Sequence, residues 1–103
     1  MRMNDNTILI TGGATGIGFS LAKYFHERNN TIIICGRRVD KLKEAKKELQ
    51  GIYAVKCDVA NTRELKELFK YAKDNFPNLN ILINNAGIQR DIDLQRFDKT
   101  KVN

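Results

Sequence analysis

The sequence predicts an α/β domain built on a parallel sheet with helices packed against it, and three observations carry the prediction. Short apolar runs alternate with helical patterns in the order β-α-β-α-β-α-β, which suits a parallel sheet with right-handed crossovers. Runs such as Ile32-Ile33-Ile34 are apolar without alternation, as in strands covered on both faces. Finally, the glycine-rich stretch Thr11-Gly12-Gly13-Ala14-Thr15-Gly16-Ile17-Gly18 joins the first strand to the first helix. Strand, glycine turn and helix in that order make a phosphate cradle, because backbone N–H groups at the helix N-terminus converge on an anion and the helix dipole favours its charge.

Each element has a local reason. Strands are expected at residues 7–10, 31–35, 52–57 and 80–83, which are rich in Ile and Val and bounded by Gly or Asn. The first helix, over 16–28, shows Leu21, Ala22 and Phe25 at helical spacing. The second, over 40–49, buries Leu42, Ala45 and Leu49, ends at Gly51 and takes Asp40 as its cap. The third carries Leu65, Leu68, Phe69, Ala72 and Phe76 as one stripe and stops at Pro77. Asn61 with Glu64 three residues later reads as a capping-box variant at its start. Within the glycine turn, Gly12 permits the sharp bend, Gly16 lets the backbone approach a pyrophosphate, and Gly18 lets the helix pack close to the sheet.

The bulk properties bound the function. The chain has 103 residues, the size of one small domain, and its 42% apolar content implies a packed core rather than disorder. No run spans a membrane and the N-terminus lacks a secretory pattern, so a soluble cytoplasmic protein is expected. Cys35 and Cys57 lie outside any Cys-x-x-Cys pair and His26 is the single histidine. Both cysteines therefore read as small buried residues, and no metal site is expected. The net charge of +6 arises mainly on helices where Lys41, Lys43, Lys46 and Lys47 mix with Glu44 and Glu48, and Lys66, Lys70 and Lys73 with Glu64, Glu67 and Asp74. Mixed charges make a solvated face, and no element that reads nucleic acid accompanies them.

Three further features line up with the glycine turn: Gly36-Arg37-Arg38 after the second strand, Asp58-Val59 after the third, and Asn84-Asn85-Ala86-Gly87 after the fourth. Together they resemble the N-terminal half of a short-chain dehydrogenase/reductase, over residues 7–87. The resemblance implies a Rossmann-type doubly wound parallel sheet, strand order 3-2-1-4, with three helices. It divides the chain into a dinucleotide-binding portion, 1–87, and a charged tail, 88–103, of no assignable structure. By the same resemblance Gly12, Thr15, Gly16, Ile17 and Gly18 would hold the dinucleotide phosphates. Asp58 would bond the adenine amino group with Val59 beside it, and Asn85, Ala86 and Gly87 would line the ribose side. Side-chain amides at a strand end also tie strands together, so Asn84-Asn85 reads equally as support and as contact.

The end of the second strand selects the cofactor. An acid there would bond the ribose 2′-OH of NAD and repel a 2′-phosphate; this chain has Gly36, Arg37 and Arg38 instead. A guanidinium makes a bidentate, charge-assisted pair with a phosphate. NADP is therefore expected over NAD, with Arg37 as principal contact and Arg38 secondary.

Carbonyl reduction also needs a proton donor and a group that orients the carbonyl, which the family supplies with a Tyr-x-x-x-Lys pair and a serine. Here Tyr24, Tyr53 and Tyr71 are followed four residues later by Arg28, Cys57 and Asn75, and the one serine, Ser20, sits on the first helix. No catalytic residue is assigned. The expectation is a truncated, NADP-binding portion of an oxidoreductase that interconverts an alcohol and a carbonyl, inactive in isolation, with a small-molecule substrate only alongside a missing half. The alternative is a stand-alone nucleotide-binding or protein-interaction module. In strand order 3-2-1-4 the first two helices share one face and the third takes the other. Part of that face should then stay bare beside the fourth strand and favour self-association.

Overall fold

The structure is a computed structural model and describes residues 4–88. Over these residues the elements run β1 (Thr7–Thr11), α1 (Gly16–His26), β2 (Thr31–Gly36), α2 (Val39–Glu48), β3 (Tyr53–Lys56), α3 (Thr62–Asn75), β4 (Ile81–Asn84) and α4 (Asn85–Ile88). The strands pair in parallel in the order β3-β2-β1-β4, the doubly wound order expected. The chain reverses its direction of winding between β1 and β4, and in open sheets of this kind ligands bind at that point, off the carboxyl ends of the strands. The charged stretch 89–103 lies outside the described residues.

Register explains the two cores. Ile8 pairs with Ile32, Leu9 with Ile33 and Ile10 with Ile34 across β1 and β2. Side chains alternate across a strand, so Ile8, Ile10, Ile32 and Ile34 face α1 and α2, where they pack with Ala22, Leu42 and Ala45. Leu9, Ile33 and Cys35 face the other way and pack with Cys57 and with Leu68 and Ala72 of α3. Each fully buried Ile or Leu contributes about 1.5–3 kcal/mol relative to exposure, and the central β1–β2 pair holds most of them. Leu82 of β4 pairs in register with Leu9. Leu9 is wholly buried, whereas Leu82 is 52% exposed and nearby Phe69 of α3 is 42% exposed.

Helix ends differ from expectation at three points. The first helix ends at His26 because Glu27–Asn29 turn back, with Arg28 N–H donating to the Phe25 carbonyl at 3.0 Å and Asn29 at φ 61°. Arg38, not Asp40, occupies the N-cap of α2; Asp40 sits in the first turn and pairs with Arg38 at 3.1 Å. At α3, Asn61 Oδ1 accepts from Glu64 N–H at 3.1 Å, but the reciprocal half of the box is missing. Asn61 N–H already donates to the Asp58 carbonyl at 2.9 Å, and the Glu64 carboxylate accepts from Asp58 N–H at 2.9 Å instead. The short α4 is an element the sequence pattern did not announce.

The amino ends of the strands are tied by asparagines. Asn6 N–H donates to Asn30 Oδ1, Asn80 Nδ2 to Asn6 Oδ1, and Thr7 N–H to Asn80 Oδ1, each at 2.9 Å. These bonds join the chain before β1, β2 and β4, and so keep the central strand in place beneath the site. Among the described residues no helix is long and apolar enough to cross a membrane.

Candidate functional site

The site grows from the carboxyl end of β1. Gly12 and Gly16 have φ of +65° and +58°, a region that costs an L-residue roughly 1–2 kcal/mol. The turn they shape is clamped from both sides. On the β2 side, Gly13 N–H donates to the Cys35 carbonyl at 3.2 Å, and a Cβ on Gly13 would stand 2.6 Å from Ile34 Cγ2. On the β4 side, Thr11 Oγ1 accepts from Ala86 N–H at 3.1 Å and donates to Asn84 Oδ1 at 3.0 Å, while Asn85 Nδ2 donates to the Gly12 carbonyl at 3.0 Å. A Cβ on Gly18 would overlap the Gly12 carbonyl oxygen and approach Asn85 Nδ2. Helix α1 therefore starts where it does only because residue 18 has no side chain.

The turn forms one wall of a cleft of about 370 Å³. Gly12, Ala14 and Thr15 supply that wall; Gly36, Arg37 and Arg38 at the end of β2, with Lys41 of α2, supply a second. Cys57, Asp58 and Val59 after β3 and Ala86 of α4 complete it. The position of a Cβ on Gly16 has no neighbour within 4 Å, so its backbone stays open to an approaching group. A left-handed glycine turn, the Thr15 cap of α1 and a cationic edge on one cleft fit the adenosine and phosphate groups of a dinucleotide.

The fold thus brings together Gly12, Thr15, Arg37, Arg38, Asp58, Val59 and Ala86. It sets others apart. Gly16 and Ile17 border a separate shallow hollow with Ser20, Leu21, Tyr24 and Phe25. Gly18 is buried behind the turn, and Asn85 is wholly buried beneath Gly12. In the even choice between support and contact, the Asn84 and Asn85 side chains make the supporting bonds. Gly87 belongs to α4. Lys41 is the charged residue that sequence reasoning missed, since it read as part of the solvated face of α2. Its signal was its place in the first turn of the helix that follows Arg37 and Arg38.

Charges around the cleft are unequally committed. Arg38 holds Asp40 at 3.1 Å, whereas Arg37 makes no ion pair among the described residues. Desolvation pushes the Asp40 carboxyl up, but the Arg38 charge and hydrogen bonds from Arg38 and backbone N–H groups outweigh it and leave the pKa lowered. Asp58 is oriented by its own turn, with Oδ1 accepting from Ala60 N–H at 3.0 Å. Beneath the cleft both cysteines are free and buried. Burial pushes the Cys35 thiol up to about 11, against a smaller opposing hydrogen bond from Gly12. It also raises Cys57, reinforced by the charges of Glu64 and Asp58. Among the described residues no cluster of His, Cys, Asp or Glu could hold a metal ion.

Comparison with known proteins agrees with this arrangement. The family model for short chain dehydrogenases matches residues 6–103, so the likeness extends past Gly87, where the recognisable motifs stop. An uncharacterized oxidoreductase, DltE of Bacillus subtilis, is 49% identical over 96 residues, covering 93% of this chain and 38% of that protein. The chloroplastic chlorophyll(ide) b reductase NOL of Arabidopsis thaliana is 35% identical over 85 residues, covering 78% of this chain and 24% of that protein. A crystal structure of a short chain dehydrogenase from Bacillus anthracis superposes with a TM-score of 0.74 at 34% identity, over 81% of this chain and 35% of that one. The chain thus spans between about a quarter and two fifths of the length of these relatives. Glycine turn, strand order and sequence all lead to the same conclusion: the chain belongs to the short-chain dehydrogenase family, whose members use a nicotinamide nucleotide.

Proposed function

We propose that this chain is the NADP-binding portion of an oxidoreductase that interconverts an alcohol and a carbonyl. The observation that carries the cofactor choice is the guanidinium of Arg37 just after β2, without an ion pair among the described residues and on the same cleft as the glycine turn. Gly36 stands where an acid would favour a ribose hydroxyl.

When bound, the cofactor supplies or accepts a hydride. The chain's own residues bind and orient it. Gly12 and Thr15 present backbone to the phosphates, Arg37 pairs with the 2′-phosphate, Arg38 stands beside it, and Asp58 with Val59 borders the adenine. Asn85 acts at one remove, by holding the Gly12 carbonyl and with it the turn. The 103 residues contain no Tyr-x-x-x-Lys pair, and their single serine lies on α1. Taken alone, they bind cofactor without turning over a carbonyl.

Titration with NADPH and NADH tests the reading. A charge-assisted phosphate pair is worth about 1.5–3 kcal/mol, so NADPH should bind roughly ten- to a hundredfold tighter. Equal or tighter binding of NADH would overturn it.

A further inference from the structure

We infer that Lys41, rather than Arg38, is the second cation of the 2′-phosphate site, so that Arg37 and Lys41 together discriminate the phosphorylated from the unphosphorylated adenosine. This rests on the reading of the cleft as an NADP site.

Three observations lead there. Lys41 lines the same cleft as Arg37, reaching it from the first turn of α2. Its side chain is 34% exposed, against 68% for Arg38, so more of its length lies against the protein. The two cations also differ in what already holds them. Arg38 is hydrogen-bonded to Asp40 at 3.1 Å, and offering it to a phosphate means giving up that bond or bringing the Asp40 carboxylate up beside the phosphate. Lys41 has only a 3.7 Å pairing with Glu44, itself 67% exposed. Both exposed pairs contribute little in themselves, so the difference lies in the Asp40 carboxylate that Arg38 would bring up to the phosphate, whereas the longer Lys41–Glu44 contact is readily released.

Position agrees with chemistry. Arg37 follows β2 directly and Lys41 lies in the first turn of α2, so two cations from adjoining segments line one cleft. The guanidinium offers a planar fork and the ammonium a compact point charge, which suits a tetrahedral dianion approached from two directions. The positive end of α2 adds to the same field.

The test uses adenosine 2′,5′-bisphosphate and 5′-AMP as probes, titrated calorimetrically into the protein and its K41Q, R37Q, R38Q and K43Q variants. K43Q removes the same charge from an exposed position of α2 outside the cleft lining. K41Q should weaken the bisphosphate about tenfold and leave 5′-AMP within twofold, R38Q should weaken the bisphosphate less than K41Q does, and K43Q should change either probe by no more than about twofold. If K41Q matches K43Q, or weakens both probes alike, the assignment of Lys41 is wrong. If R38Q loses the discrimination and K41Q keeps it, the two roles are reversed. If the unmutated protein fails to distinguish the probes and R37Q changes nothing, the NADP reading itself falls. Thermal unfolding of each variant without ligand separates loss of binding from loss of fold.

Discussion

Asn85 supports the glycine turn from behind, its Nδ2 donating to the Gly12 carbonyl at 3.0 Å while its Oδ1 has no hydrogen-bond partner among the described residues. A wholly buried amide used on one side only spends stability on position, which is the usual trade near a site. Removing the donor in N85A should cost about 1–3 kcal/mol. N85D should cost more, because a carboxylate would face the Gly12 carbonyl. Its deficit should shrink as the pH falls and protonation restores an O–H donor. Urea midpoints at pH 5 and pH 8 measure both; an N85D midpoint independent of pH would refute the contact.

Gly16 and Gly18 are two residues apart and should respond differently to alanine. At Gly18 the new Cβ meets the Gly12 carbonyl and Asn85, so the turn or the helix start must move, at about 3 kcal/mol or more. At Gly16 the space is open and only the backbone at φ +58° resists, at roughly 1–2 kcal/mol. Chemical denaturation orders the two variants, and G16A losing as much as G18A would contradict the packing described.

Cys35 gives stability a dependence on alkaline pH. Burial raises its pKa from 9.0 to about 11, so the folded state prefers the neutral thiol more strongly than the unfolded chain does. That contribution is complete below pH about 9 and is lost as the pH rises towards 11, by at most about 3 kcal/mol. The unfolding midpoint should fall over this window, and less so in C35A. The native thiol should also resist alkylation at pH 8 until the protein unfolds.

Much was legible in the residues. The glycine turn, the order of the elements and the apolar strands are local patterns: a period of two or 3.6, or a glycine where the backbone must bend, states its own requirement. Predicted and observed boundaries agree within about two residues for this reason. The departures occur where a residue had a choice of partner. Asp40 suits a cap by its type, but Arg38 fills that position and draws Asp40 into an ion pair. Glu64 suits the closing half of a capping box, but Asn61 N–H is taken by the Asp58 carbonyl and the Glu64 carboxylate accepts from Asp58 N–H.

Patterns within a few residues of chain mark the strands, their parallel sense and the place of the phosphate cradle, while the strand order was implied by the family resemblance that those motifs carry. Tertiary structure alone decided which side chains reach the cleft. Asn85 went beneath the turn, Lys41 came from a helix face that reads as solvent into the wall beside Arg37, and Leu82 stayed half exposed while its register partner Leu9 is sealed. Those outcomes depend on distances between segments far apart in the chain, such as the 73 residues between Gly12 and Asn85, and such distances exist only once the sheet has assembled.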